Sequence, residues 1–373
     1  MRVASVVLNN FTSDNRVYKT AKSIQSQGYE VHVVALLKGD VQAREVFDGI
    51  PVHRIKLKTM VLPEGVIWGG IKYIEMFIRI IAGYRKFDIW HCNDFEPFLI
   101  GRIAKFFNRK LKLVYDCHEY EAERFGKHKS EKWVIANVEK RIISRAGAVI
   151  NVSEGIAAEY KRLYGLKETT LIYNSPHLMQ VDRSDKLREA LNIPKDKKIF
   201  LYQGGLVISR GIELLLETFA GLEDRDYVIV FMGKGGYQSL IEEYIEKHSN
   251  IYLHPNVAYD KLLSYTTSAD YGIISTQNLC LNNWFCMPNK LFEYIHAEIP
   301  MVTNNLYDCR NLVEKYDIGV VAEEYSKEAL TEAMDAISKI DKETYRERLK
   351  SVKQIFNWQN EEKKLFELYS KLS

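Results

Sequence analysis

No apolar run in the chain approaches the roughly 18 residues that a membrane-spanning helix needs, so no segment reads as a span. Cysteine is sparse and unpatterned: Cys92, Cys117, Cys280, Cys286 and Cys309 are odd in number and show no dense spacing. That excludes a disulfide framework and reads as reduced thiols of a cytoplasmic protein. Low-complexity stretches and short-period repeats are absent, and no nucleic-acid recognition motif is present. An ordinary balance of 46% hydrophobic and 27% charged residues excludes a disordered chain. The first residues already read as a strand, so no signal peptide is expected.

What is present is a strand–helix alternation long enough for two domains, at 373 residues. Strands are expected at 3–8, 30–36, 52–57, 89–91, 113–116, 148–152 and 170–173, then at 198–203, 227–232, 251–254, 271–275, 301–304 and 319–321. Helical patterns such as 17–27 and 132–145 fall between most of them. Apolar strands alternating with helices predict parallel sheets covered on both faces, hence an α/β chain of two Rossmann-like units in series. Linker composition surrounds residues 175–198, with Pro176, a charged stretch from Asp182 to Arg188, and Pro194. The domains are drawn at 1–178 and 179–355. The final segment carries Leu365, Leu368, Tyr369 and Leu372 at helical spacing, and that face needs a surface to cover.

Charge is unevenly placed. Residues 1–180 hold 28 Lys+Arg against 19 Asp+Glu, and residues 181–373 hold 24 against 30. The basic half points to an anionic partner, such as a lipid head-group surface or a phosphorylated acceptor, with chance dispersion as the plain alternative. One helix sets Ile67, Ile71, Ile74, Ile78 and Ile81 on one face, opposite Lys72, Glu75 and Arg79. It reads as packing on its own sheet or, given Met60, Val61, Leu62 and Trp68 just upstream, as partial membrane contact.

Two segments carry the functional reading. In Gln203-Gly204-Gly205-Leu206-Val207-Ile208-Ser209-Arg210-Gly211-Ile212, a buried strand runs into a glycine turn, a basic residue and a helix start. That order aims backbone N–H groups and a guanidinium at one point, which suits a phosphate or diphosphate. In Pro288-Asn289-Lys290-Leu291-Phe292-Glu293, a helix starts with a lysine in its first turn and a glutamate one turn on, a carboxylate suited to sugar hydroxyls.

Together with Asp14-Asn15-Arg16-Val17-Tyr18-Lys19, Gly28-Tyr29-Glu30-Val31-His32-Val33, Val114-Tyr115-Asp116-Cys117-His118-Glu119, Val149-Ile150-Asn151-Val152-Ser153 and Leu171-Ile172-Tyr173-Asn174-Ser175-Pro176, these segments resemble a retaining GT-B glycosyltransferase of family 4. The likeness runs in order along nearly the whole chain. It implies two domains with a cleft between them, the first receiving an acceptor and the second binding a nucleotide sugar. It also implies that the terminal segment 356–373 returns to the first domain.

The resemblance assigns roles residue by residue. Arg210 would stabilise the departing diphosphate, where negative charge grows as the glycosidic bond breaks. Gly205 stands where many relatives carry a second basic residue, and Lys290 would supply that charge. Glu293 matches the second glutamate of the family's spaced pair and would bind ribose hydroxyls. Phe285 stands where the first glutamate is expected. His118 would contact the donor sugar, its imidazole giving or taking a hydrogen bond. Gly204, Gly233, Lys234, Asn256, Val257, Asn289 and Leu291 complete the expected donor site. Asn10, Asp14, Asp94 and Glu119 are acceptor-side candidates, with Glu121 and Glu123 near them.

No metal or other cofactor is expected. His91, Cys92, Cys117 and His118 lack a recognised ligand spacing. Asp224-Arg225-Asp226, which mimics the metal motif of the other large glycosyltransferase fold, precedes a strand at the end away from the ligands. The implied function is transfer of a sugar from a nucleoside-diphosphate donor, UDP favoured over GDP. The acceptor would be a glycan or polyprenyl-linked hydroxyl in surface-polysaccharide assembly, at or near the inner face of the cytoplasmic membrane. A non-hydrolysing nucleotide-sugar epimerase and a non-catalytic GT-B subunit are the alternatives.

Overall fold

The computed structural model describes residues 1–63, 65–180 and 182–372; the side chains of Val66 and Ile67, and with them one position of the isoleucine stripe, lie outside the described residues. The chain divides into two compact units. The first comprises Met1–Ile172 and the segment from Glu361 onward, the second Tyr173–Asn360.

The first unit is built on an eight-stranded sheet: β1 (Arg2–Val6), β2 (Glu30–Leu36), β3 (Arg44–Phe47), β4 (Ile50–Ile55), β5 (Ile89–Asn93), β6 (Lys112–Cys117), β7 (Ala148–Asn151) and β8 (Thr170–Leu171). Their order across the sheet is β3-β4-β2-β1-β5-β6-β7-β8. Among the described residues β3–β4 is its one antiparallel pair. The central strands are apolar on both faces, as in Val3, Ala4 and Val6 of β1 and Leu113, Val114 and Tyr115 of β6, all fully buried. Sequence periodicity did not find β3, an edge strand with mostly exposed residues. Its signal was Asp48-Gly49, whose φ angles of 46° and 76° make the tight turn that a two-residue hairpin demands.

Strand order reverses at β1 and β5, and open α/β sheets place their ligand sites at the carboxyl ends flanking such a reversal. The connecting helices include Asn15–Ser26, Val66–Tyr84, Phe95–Phe107 and Lys129–Ile142. In Val66–Tyr84 the isoleucine stripe divides: Ile81 is buried beside Met76 and Ile80, whereas Ile71, Ile74 and Ile78 are 38%, 61% and 62% exposed.

The helix Trp358–Leu372 solves the problem of the unpartnered apolar face. From Glu361 on it packs in the first unit, where Leu365, Leu368, Tyr369 and Leu372 are buried. Tyr369 hydrogen-bonds His91 Nδ1 at 3.0 Å and meets the Tyr29 ring edge-on.

The second unit is a fully parallel six-stranded sheet: β9 (Lys198–Gly205), β10 (Tyr227–Lys234), β11 (Ile251–His254), β12 (Tyr271–Ile274), β13 (Met301–Asn304) and β14 (Gly319–Ala322). The order is β11-β10-β9-β12-β13-β14, so the reversal falls between β9 and β12. Tyr294, wholly buried, donates to Leu201 O on β9 at 2.8 Å, and its ring fills the space that glycine leaves at position 272 of β12. That contact seats the helix Asn289–His296 against the reversal.

Candidate donor and acceptor sites

In the second unit the quoted glycine turn lies at the carboxyl end of β9, beside the reversal. Gly204 has φ +121° and pairs with Gly233 of β10, where a Cβ would lie 1.9 Å from Gly204 O. The loop that follows is held from both sides. Leu206 N–H donates to Lys234 O at 3.0 Å, and Gln277 N–H donates to Ser209 O at 2.8 Å. Ser275 Oγ donates to Arg210 O at 2.8 Å. Gly211 has φ +75°, and a Cβ there would sit 2.0 Å from Ser275 O, so only glycine lets the chain turn into the helix Ile212–Ala220 at this point. Arg210 therefore has a fixed backbone, and its guanidinium has no salt bridge among the described residues.

Lys290 is the second cation. It is buried, with its Nζ 3.4 Å from the centroid of the Tyr202 ring and its stem against Gly204. Burial pushes its pKa well below the ordinary lysine value, and the nearby Arg210 adds to the shift. Two basic side chains thus share the neighbourhood of the glycine turn, Arg210 lying close enough to act on the Lys290 pKa. Glu293, one turn further along the same helix, accepts a hydrogen bond from Gln203 Nε2, and Gln203 Oε1 accepts from Thr266 at 2.8 Å.

The remaining candidates sort by position. Gly204, Gly233 with Lys234, and Asn256 with Val257 end or follow three neighbouring strands, β9, β10 and β11, along one edge. Lys234 and Asn256 are exposed. Asn289 accepts from Asn174 Nδ2 at 3.0 Å. Leu291 has a wholly buried side chain, and its N–H is bonded to Pro288 O, so it belongs to the core under the helix start. Phe285 meets the Tyr307 ring edge-on at 5.7 Å, an apolar contact in place of a carboxylate. Asp226 pairs with Lys198 at the start of β9, the edge opposite the glycine turn, as expected for a surface turn.

In the first unit His118 follows β6 and Asp94 follows β5, which places them next to the reversal. His118 donates its backbone N–H to Asp94 Oδ1 at 3.0 Å. Its ring lies 3.6 Å from Asp94 Oδ2 through Nδ1 and 3.3 Å from Asp116 Oδ2 through Nε2. Burial alone would lower the imidazole pKa, but the two carboxylates outweigh it and raise the pKa to about 9. Burial lifts Asp94 to about 6, against the pull of His118.

Beneath His118 lies a network that sequence reasoning missed. Asp116 accepts a two-pronged contact from Arg16, at 2.6 and 3.1 Å, and lies 3.2 Å from His91 Nε2. Burial works against its charge, but Arg16 and His118 hold its pKa well below the usual carboxylate range. Arg16 also donates to Ile172 O at 3.1 Å. The signal was present: an aspartate inside an apolar strand demands a charged partner.

Three acceptor-side candidates are occupied with building the fold. Asp14 caps the helix Asn15–Ser26 by accepting from Val17 N–H at 3.1 Å, and it also accepts from Asn9 at 2.7 Å. Asn10 accepts from Thr12 at 2.9 Å and donates to Lys38 O at 3.3 Å. Glu119 pairs with Arg124 at 2.6 Å. Glu121, buried, and Glu123 are likewise ion-paired, to Lys127 and Lys132. The three glutamates are therefore neither a solvated acidic stretch nor a set of free carboxylates. Among the described residues no group of three or more His, Cys, Asp and Glu side chains is arranged to hold a metal ion.

The model of Glycosyltransferase Family 4 matches residues 14–175, and that of Glycosyl transferases group 1 matches residues 183–354. The chain belongs to the family 4 glycosyltransferases of the GT-B fold. It is similar to an uncharacterized glycosyltransferase of Methanocaldococcus jannaschii, MJ1607, with 24% identity over 60% of this chain and 59% of that one, so the match spans under two thirds of that relative's length. It is 25% identical to the putative teichuronic acid biosynthesis glycosyltransferase TuaC of Bacillus subtilis, over 77% of each chain. Among solved structures, Anabaena HepE in complex with UDP-glucose superposes with a TM-score of 0.78 at 17% identity, covering 99% of both chains, a likeness of fold.

Proposed function

We propose that this chain is a retaining, metal-independent glycosyltransferase that moves a sugar from a UDP-sugar to a hydroxyl of a glycan or polyprenyl-linked acceptor in surface-polysaccharide assembly, at the inner face of the cytoplasmic membrane. The observation that carries the reading is the convergence of Arg210 and Lys290 beside the Gly204-Gly205 turn. Arg210 and Lys290, with no carboxylate salt-bridged to either among the described residues, suit a diphosphate leaving group, whose growing charge the guanidinium and a lysine protonated on binding would stabilise. Glu293, oriented by Gln203, would take the ribose hydroxyls. Lys234, Asn256 and Val257 would border the base. His118 would contact the donor sugar, and the donor phosphate would help remove the acceptor proton during same-face attack. The choice of UDP is supported by the fold neighbour crystallised with UDP-glucose, and the polysaccharide setting by the relative named for teichuronic acid biosynthesis.

The test is a thermal-shift panel with UDP, GDP, ADP, dTDP and CMP, with and without EDTA, on wild type and Arg210→Ala. Stabilisation by UDP, unaffected by EDTA and lost in the variant, is expected. No shift with any nucleotide would favour the non-catalytic subunit. A shift that needs metal or survives the substitution would displace the diphosphate site.

A further inference from the structure

The first unit carries an exposed aromatic pair that the donor and acceptor chemistry does not use. Phe106 and Phe107 end the helix Phe95–Phe107 and are 78% and 63% exposed. Burying either ring would be favourable, so leaving two adjacent ones in water marks a contact surface. Their surroundings are cationic. Lys105 precedes them, and Arg109 and Lys110 follow. Asn108 donates to Arg85 O at 2.8 Å, which brings the Arg85-Lys86 turn alongside. None of these five cations forms a salt bridge among the described residues. The neighbouring helix Val66–Tyr84 packs against Phe95–Phe107 and exposes Ile74 and Ile78. Basic residues at a helix end complement its dipole, which accounts for Lys105. It does not account for two bare phenylalanines or for the run of cations beyond them.

We infer that this end of the first unit docks on a bilayer bearing anionic head groups, with Phe106 and Phe107 entering the interface and Arg85, Lys86, Lys105, Arg109 and Lys110 meeting lipid phosphates. The charge sign selects the occupant: an apolar pair flanked by five cations that form no salt bridge among the described residues matches an anionic interface, where aromatic insertion and electrostatic attraction add. It repels a second copy of the same cationic patch. The surface lies apart from the residues proposed for chemistry, so it stands independently of the donor and acceptor assignments.

Vesicle flotation tests it with the full chain. Vesicles of phosphatidylcholine with 30% phosphatidylglycerol are compared with pure phosphatidylcholine vesicles, at about 50 and 500 mM salt. The wild type is expected to float only with the anionic vesicles at low salt. The Phe106→Ser/Phe107→Ser variant and the Lys105→Gln/Arg109→Gln/Lys110→Gln variant are each expected to lose binding. At about fivefold per cation, the second variant loses roughly a hundredfold in partition coefficient. Phe106, Phe107, Arg109 and Lys110 are exposed and Lys105 is half-buried without a salt bridge among the described residues, so the variants' melting temperatures and UDP-induced shifts are expected to match wild type, which separates this test from that of the donor site. Three results would overturn the proposal: no flotation of the wild type with anionic vesicles, unchanged flotation of the variants, or sedimentation showing a dimer that the phenylalanine variant dissolves.

Discussion

Lys290 holds its ammonium 3.4 Å from the centre of the Tyr202 ring, close enough for a cation–π contact in a site otherwise poor in counter-charge. The ring stabilises the cation without neutralising it, and burial still pushes the Lys290 pKa well down. A bound diphosphate supplies the missing opposite charge and moves that pKa back up. UDP binding is therefore expected to take up protons at pH values between the free and bound pKa of Lys290. Calorimetric titrations in HEPES and in Tris, whose ionisation heats differ, would read this as a buffer-dependent enthalpy that Lys290→Met abolishes. Equal heats in both buffers for wild type would remove Lys290 from the diphosphate site.

Arg210 and Gly211 form a second test. Arg210→Ala is expected to lower kcat by about 10²–10³ if the guanidinium acts on charge that develops in the transition state. Gly211→Ala reaches the same residue through the backbone, because its Cβ would lie 2.0 Å from Ser275 O at a φ of +75°. It is expected to cost about 2–4 kcal/mol of stability and to misplace Arg210, so that the UDP-induced thermal shift shrinks. A Gly211→Ala protein with full stability and full kcat would contradict the described loop.

The pH dependence centres on His118. Its pKa in the fold is about 9, above the ordinary 6.5, because Asp94 and Asp116 favour the imidazolium over the cost of burial. A raised histidine pKa adds stability that is complete below about pH 6.5 and is lost as pH rises through about 9. Urea unfolding at pH 6.5 and 9.5 is expected to show this loss in wild type and a smaller one in His118→Asn. Identical slopes would mean that the imidazole is not held between the two carboxylates.

A buried tyrosine cluster offers a stability test away from the chemistry. Glu139 is wholly buried and accepts hydrogen bonds from three phenols: Tyr115, Tyr160 at 2.8 Å and Tyr164 at 2.6 Å. Glu139→Leu leaves those hydroxyls without their acceptor and is expected to destabilise the protein by about 3–5 kcal/mol in chemical denaturation. Tyr164→Phe removes one donor and is expected to cost only about 1 kcal/mol. A near-neutral Glu139→Leu would show that the cluster is not a structural anchor.

Much of this architecture was legible because buried parallel strands write themselves as continuous apolar runs. β1, β9 and β10 are of this kind. The terminal helix was legible from Leu365, Leu368, Tyr369 and Leu372 alone. β3 was not, because an edge strand need not be apolar, and its only mark was a two-residue turn. The glycine turn with Arg210 was visible as a local pattern of strand, turn and helix start. The network under His118 was not, since Arg16 and Asp116 are brought together across 100 residues by sheet order, which no local pattern encodes. Asp14 was legible as a loop carboxylate after β1, but its capping of the helix Asn15–Ser26 through the Val17 N–H at 3.1 Å was not, because a cap and a ligand-facing carboxylate look alike in sequence.

The contact between Tyr369 and His91 joins residues 278 positions apart. During synthesis, the first unit leaves the ribosome lacking the segment that closes it. The entire second unit must emerge before Tyr369, Leu365 and Leu368 can reach their places. Until then Tyr29 and His91 lack their aromatic neighbour, and Ser23 lacks the Glu362 carboxylate it bonds at 2.8 Å. The unit made first is thus the unit completed last, and a nascent chain stalled short of residue 361 would present chaperones with an open core.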